Sequence, residues 1–119
     1  MWTYLAALVS IHDADTLTVD VNLGFDLTIR QTVRLAHLDA PELSTDAGKA
    51  AKQYLVDLLP TRLVVTTIQT KAGSTAREKY GRLLAVISFD GLAGPINANQ
   101  ALIDSGHARE WEGRGPKPW

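Results

Sequence analysis

A chain of 119 residues is one domain by length, and long enough to bury a single hydrophobic core without staples. The absence of cysteine excludes a disulfide framework and a Cys-based zinc site. The net charge of −1 hides a split: residues 1–46 hold Arg30 and Arg34 against seven acids, whereas residues 47–119 hold ten bases against six. An acidic first part suits a divalent cation and a basic remainder suits a polyanion, although an uneven surface without function would show the same split.

Trp2-Thr3-Tyr4 reads as strand rather than signal peptide, because no basic n-region or long apolar h-region accompanies it, and a cytoplasmic protein is expected. Thr16 to Asn22 alternates polar and apolar residues, the period of a half-buried strand, and Asn22-Leu23-Gly24 supplies turn chemistry. From Phe25 to Leu35 the odd positions are mostly apolar and the even ones polar, which predicts a long strand with one core face and Arg34 on its polar face. Ser44-Thr45-Asp46 offers helix N-caps, after which Ala47, Ala50, Ala51, Tyr54, Leu55, Leu58 and Leu59 keep helical spacing up to Pro60. Leu63 to Ile68 reads as a fourth strand, and Leu83 to Phe89, closed by Asp90-Gly91, as a fifth. Asn97 can cap a short helix running through Ile103, with Gly106 placed for its C-terminal end.

By pattern alone these elements make a small β-barrel with helices; five strands with a helix between the third and fourth follow the order of an OB-type barrel. The expected domain covers residues 1–111. Residues 112–119 form a Gly/Pro-rich tail that is either disordered or a strap whose Trp119 docks on the barrel, and docking is favoured because an exposed Trp is a liability.

The chemistry concentrates in Arg34-Leu35-Ala36-His37-Leu38-Asp39-Ala40-Pro41-Glu42, which brings a fixed cation and two carboxylates to one strand end. Phosphodiester cleavage needs such groups: charge neutralisation on the non-bridging oxygens, an activated water, and both held in line. Asp13-Ala14-Asp15-Thr16 upstream and Glu78-Lys79-Tyr80-Gly81-Arg82 downstream complete a constellation. Taken singly, Asp15 and Asp39 are ordinary turn residues, Glu42 a helix-entry acid, Arg34 an exposed strand cation and Arg82 a strand-edge shield. The three histidines, His12, His37 and His107, share no metal-ligand spacing.

In this order the three segments resemble the staphylococcal nuclease (thermonuclease-like) family, from about Val9 to about Ala108. The resemblance implies the OB fold, Ca2+ as cofactor, and a sugar-nonspecific endonuclease that cleaves DNA and RNA to 3′-phosphate ends. It implies Asp15, Asp39 and the carbonyl of Ala40 as metal ligands, and Arg34 and Arg82 as phosphate-binding arginines. A guanidinium grips two phosphoryl oxygens at once, which an ammonium does not. Glu42 is then the group that orients or deprotonates the attacking water, and sequence does not separate these two roles. Lys79 and Tyr80 resemble residues that contact a terminal phosphate and stack near a base.

The substrate expected is single-stranded or locally melted nucleic acid, bound by a monomer without a membrane. Because members of the family are often exported, a secreted mature form behind a new Met is the alternative to a cytoplasmic one. Several features depart from the family pattern. Ala40 stands where Thr is common, His37 where an apolar residue is usual, and only a few residues separate Glu42 from the helix. The chain also stops before the family's third helix, and Trp111 is the nearest substitute for the expected site tyrosines. The competing function is a catalytically silent OB module binding single strands or a protein; silent relatives tend to lose the arginines, ligands or Glu, and here all are present.

Overall fold

The computed structural model describes residues 2–70, 75–77 and 81–119. Strand β1 (Thr3–Asp13) pairs antiparallel with β2 (Thr16–Gly24), which pairs antiparallel with β3 (Leu27–Leu35). A short β4 (Leu38–Asp39) and helix α1 (Asp46–Leu58) follow, then β5 (Arg62–Thr67) and β6 (Leu83–Gly91). The sheet order is β3-β2-β1-β5-β6, and a parallel pairing of Val33, Leu35 and Arg34 with Leu83 to Ala85 joins β3 back to β6. Five strands therefore close into a barrel, the expected OB order. Strand β7 (Gly94–Asn97) extends β6, α2 (Ala98–Asp104) caps one end, and β8 (Arg109–Glu110) pairs with β4. Among the described residues no helix is long and apolar enough to cross a membrane.

The barrel is filled by the inward residues of each strand, including Leu17, Val19, Val33, Leu35, Leu63, Val65, Ala85 and Ile87. Helix α1 adds Ala51 and Leu55, and α2 adds Leu102. Thr45 caps α1, its hydroxyl accepting from the Gly48 N–H at 3.0 Å. Asn97 caps α2, and Gly106, with φ +81, adopts the left-handed turn after it.

Four expectations differ from what is observed. The chain does not reverse at Asn22-Leu23-Gly24; that turn chemistry makes a bulge, with Asn22 Oδ1 accepting from Gly24 N at 2.8 Å, and reversal falls at Phe25-Asp26, both at positive φ. Strand β3 accordingly starts at Leu27 rather than Phe25. Its core face is also shorter than its alternation: Leu27 and Ile29 are exposed because the β2–β3 hairpin projects past the barrel, and only Val33 and Leu35 reach the core. Finally, Ala47 and Ala50 lie outside the buried stripe of α1.

Candidate active site

The two-residue turn Ala14-Asp15 between β1 and β2 delivers the first carboxylates. A bulge at Ile11–Asp13 shifts the register immediately before it and turns the strand end. The Asp13 side chain accepts from the Asp15 backbone N–H at 3.2 Å, and Asp15 accepts from the Thr16 hydroxyl at 3.0 Å. At the other side of β2, β3 ends in Arg34-Leu35, and a turn through Ala36-His37, with His37 at φ +70, then leads into β4 and Asp39. Left-handed backbone at a non-glycine residue is strained, and here the surrounding pairing holds it. The Ala36 N–H donates to Ala85 O at 2.8 Å, and Trp111 N–H to His37 O at 3.0 Å.

Arg34 is not an exposed strand cation: its side chain is only 11% exposed, because barrel closure puts the polar end of β3 into a cleft rather than into water. Its Nη1 donates to Leu35 O at 3.0 Å, while Nη2 lies 3.4 Å from Asp15 Oδ2 and 3.5 Å from Asp39 Oδ1. One nitrogen thus brackets both carboxylates. Arg82 approaches from the start of β6, its Nη1 donating to the Thr16 hydroxyl at 3.1 Å, so Thr16 links Arg82 to Asp15.

Crowding of three acids divides their proton affinities. Burial, a hydrogen bond shared with Asp15 and the Asp15 charge push Asp13 up to about 6. Asp15 also suffers from burial, but the Asp13 hydrogen bond, Arg34, Thr16 and the Ala40 N–H together hold it below the usual carboxylate range. Burial raises Asp39, against the pull of Lys117 and Arg34. Asp15 is therefore the carboxylate most ready to hold a cation, with Asp13 as its proton-sharing neighbour.

Asp15 and Asp39 offer converging hard oxygen donors of the kind a divalent cation takes. They do not make a complete cage: among the described residues no group of three or more His, Cys, Asp or Glu side chains is gathered for a metal. At Ala40 the N–H, rather than the carbonyl, is the group that acts on the Asp15 and Asp39 carboxyls.

Glu42 is exposed and lines a cleft of about 350 Å³ together with Asp39, Pro41 and Ala47. Its position is set from behind by α1. The Glu42 carbonyl accepts from the Thr45 N–H at 3.0 Å and the Thr45 hydroxyl at 2.7 Å. A Cβ at Gly48 would lie 1.9 Å from that same oxygen, so the first turn of the helix and the Glu42 backbone fit only because residue 48 has no side chain. A second cleft, of about 540 Å³, is lined by Arg34, Arg82, Leu84 and Trp111; the Trp111 indole N–H is buried without a hydrogen-bond partner among the described residues.

Structure thus brings together Asp15, Arg34, Asp39, Ala40, Glu42 and Arg82, while Lys79 and Tyr80 lie outside the described residues. His37 is on the rim, with Nδ1 2.9 Å from Glu112. Two supporting residues escaped the sequence reading. Gly48 was masked inside a helical pattern that counts only apolar side chains. Asn99, 3% exposed, is the second: its Oδ1 accepts from Ile87 N at 3.0 Å, and its Nδ2 donates to Ala36 O at 3.0 Å and Ala85 O at 3.2 Å. Asn99 ties α2 to β6 and to the turn that presents Asp39; the one legible sign was a polar residue on the inward side of a short apolar helix.

A sequence model of the family described as "Staphylococcal nuclease homologue" matches residues 32–117. The chain is 29% identical over 117 residues to a protein of Escherichia coli O157:H7 described as an uncharacterized endonuclease, an alignment covering 93% of this chain and 67% of that protein. It is 40% identical over 82 residues to a protein of Shigella flexneri named micrococcal nuclease, covering 67% of this chain and 40% of its relative.

Proposed function

The chain belongs to the staphylococcal nuclease homologue family, and from that membership we propose a Ca2+-dependent, sugar-nonspecific endonuclease that hydrolyses DNA and RNA and leaves 3′-phosphate ends. The observation that carries the reading is Arg34 Nη2 placed between Asp15 and Asp39, with Arg82 linked to Asp15 through Thr16 and Glu42 lining the adjoining cleft beside Asp39. With the Arg34 side chain nearly buried, a charged donor aimed at a phosphoryl group acts more strongly than in bulk water and needs little reorganisation.

Asp15 and Asp39, with the Ala40 carbonyl as a further oxygen, would hold the cation, which when bound would supply charge neutralisation at the phosphoryl oxygens. Arg34 and Arg82 bind the remaining non-bridging oxygens and fix the phosphate in line. Glu42, exposed to solvent water at the cleft wall, orients the attacking water or takes its proton. The protein acts as a monomer on single-stranded or locally melted segments, which reach the cleft without opening a duplex.

A supercoiled plasmid and a short labelled single strand, incubated in millimolar Ca2+ and in EDTA, test this directly. Cleavage in Ca2+ that EDTA abolishes and Glu42→Gln slows, with Ca2+ affinity retained, is the expected result. Equal degradation in EDTA refutes metal dependence; tight binding of the strand without any cleavage favours the silent OB module.

A further inference from the structure

Residues 112–119 run back across the site. At its start the segment is held by the Trp111 N–H on His37 O at 3.0 Å and by Glu112 on His37 Nδ1 at 2.9 Å. At its end the Trp119 indole N–H donates to Asp39 O at 2.8 Å. The Arg109 guanidinium stacks on the Trp119 ring, 4.0 Å from its centroid, and donates to Pro118 O. Arg109 itself pairs with Asp39 in the β8–β4 ladder. Both ends of the strap are therefore stitched to the short stretch that carries Asp39.

Between these ties the backbone is bent and then stiffened. Gly113 and Gly115 take positive φ, +85 and +74, which lets the chain double back; Pro116 and Pro118 then bracket Lys117 and restrict its backbone. Lys117 is, among the described residues, the one shared by the wall of the Glu42 cleft and the wall of the arginine cleft. Its Nζ lies 5.7 Å from the centre of the Trp111 ring. A strand that occupies both clefts passes the Lys117 side chain that lines them both. A phosphate passes with it.

We infer that Lys117 is a substrate-binding residue, an ammonium held by the docked strap where it lines both clefts, to take a backbone phosphate of the bound nucleic acid. The inference rests on the nuclease reading for its substrate, but a binding measurement separates the two. An ammonium suits a phosphate that slides through, since it acts as a point charge without demanding one orientation, while the arginines grip the reacting group. Pinning by Trp119 and the two prolines lowers the entropy lost when the lysine engages.

The test uses the full chain, a short fluorescent phosphorothioate single strand that resists cleavage, and saturating Ca2+, with affinity followed against salt. Lys117→Met keeps the aliphatic stem and removes the charge. It should weaken binding roughly 5- to 20-fold at low salt, reduce the salt slope by about 0.7, and raise KM more than it lowers kcat on a cleavable strand. Lys117→Arg should restore most of the affinity. Trp119→Ala frees the strap while leaving the charge, so it should weaken binding in the same direction and add little to Lys117→Met. If the parent binds the strand but does not cleave it, the nuclease reading fails and the binding arm still reads Lys117. Affinity and salt slope unchanged in Lys117→Met overturn the inference, as does faster cleavage in Lys117→Met and Trp119→Ala, which would make the strap a cover over the site.

Discussion

Gly48→Ala isolates how α1 positions Glu42. The added Cβ would stand 1.9 Å from the Glu42 carbonyl oxygen, 2.5 Å from its carbonyl carbon and 2.9 Å from Leu43 Cα, all of them backbone atoms that no rotamer change can move aside. Ordinary contact requires a retreat of about 1.5 Å. Overpacking of this kind costs about 1–3 kcal/mol, and the better helix propensity of Ala returns about 0.5–1 kcal/mol of it. A net loss of about 1–2 kcal/mol lowers the melting temperature by roughly 5 °C in a domain of this size. The retreat also breaks the Thr45 contacts to the Glu42 carbonyl and carries the carboxylate with it. A misplacement of about 1 Å at a reacting group can cost about 10^2 in rate. Melting curves in EDTA give the stability loss, and single-turnover cleavage at 25 °C with saturating Ca2+, where the variant stays folded, gives the rate. An unchanged melting temperature refutes the packing argument. A lowered one with cleavage within twofold of the parent shows that the loop yields without moving Glu42.

Arg34→Lys keeps the charge but cannot hold Leu35 O and both carboxylates at once, so cleavage should fall by about 10^3 or more while the fold survives; a rate within a few-fold of the parent makes Arg34 structural. Asp13→Asn should stabilise the metal-free protein at alkaline pH. The folded-state pKa of Asp13, about 6, lies above its ordinary 3.8, so the unfolded chain loses this proton first, and stability declines as pH rises from about 4 through 6. The amide avoids that decline: in EDTA the gain should be present at pH 8, shrink as pH falls through 6, and be absent below 3.8. A gain that is largest at acid pH contradicts the assignment. Asn99→Ala leaves the Ile87 N–H and the Ala36 carbonyl without their buried partner and should cost about 2–4 kcal/mol in urea denaturation; a loss under about 0.5 kcal/mol means that water replaces the amide fully.

Local periodicity marks a small β-barrel with both main helices, its strands in OB-type order, and the family motifs single out the candidate groups around the two clefts. Strand and helix periods are short-range properties, whereas Asp15, Arg34, Asp39, Glu42 and Arg82 stand out only through motifs that resemble the nuclease family, since each taken singly reads as an ordinary turn, strand or helix-entry residue. Short elements with no period of their own did not: β4, β7 and β8 have two to four residues each and exist because neighbouring strands are already in place. Burial of Arg34 was equally hidden, since its alternation marks a polar face and only the pairing of β3 with β6 turns that face into a cleft. Backbone fit escapes the sequence for the same reason. Gly48 reads as a weak helix residue and Asn99 as a stray amide until the Glu42 carbonyl and the Ala36 and Ala85 carbonyls are brought against them. The candidate residue types are written in the chain, whereas their distances, their protonation and the strap that crosses them come from contacts between segments remote in sequence, which only the closed barrel creates.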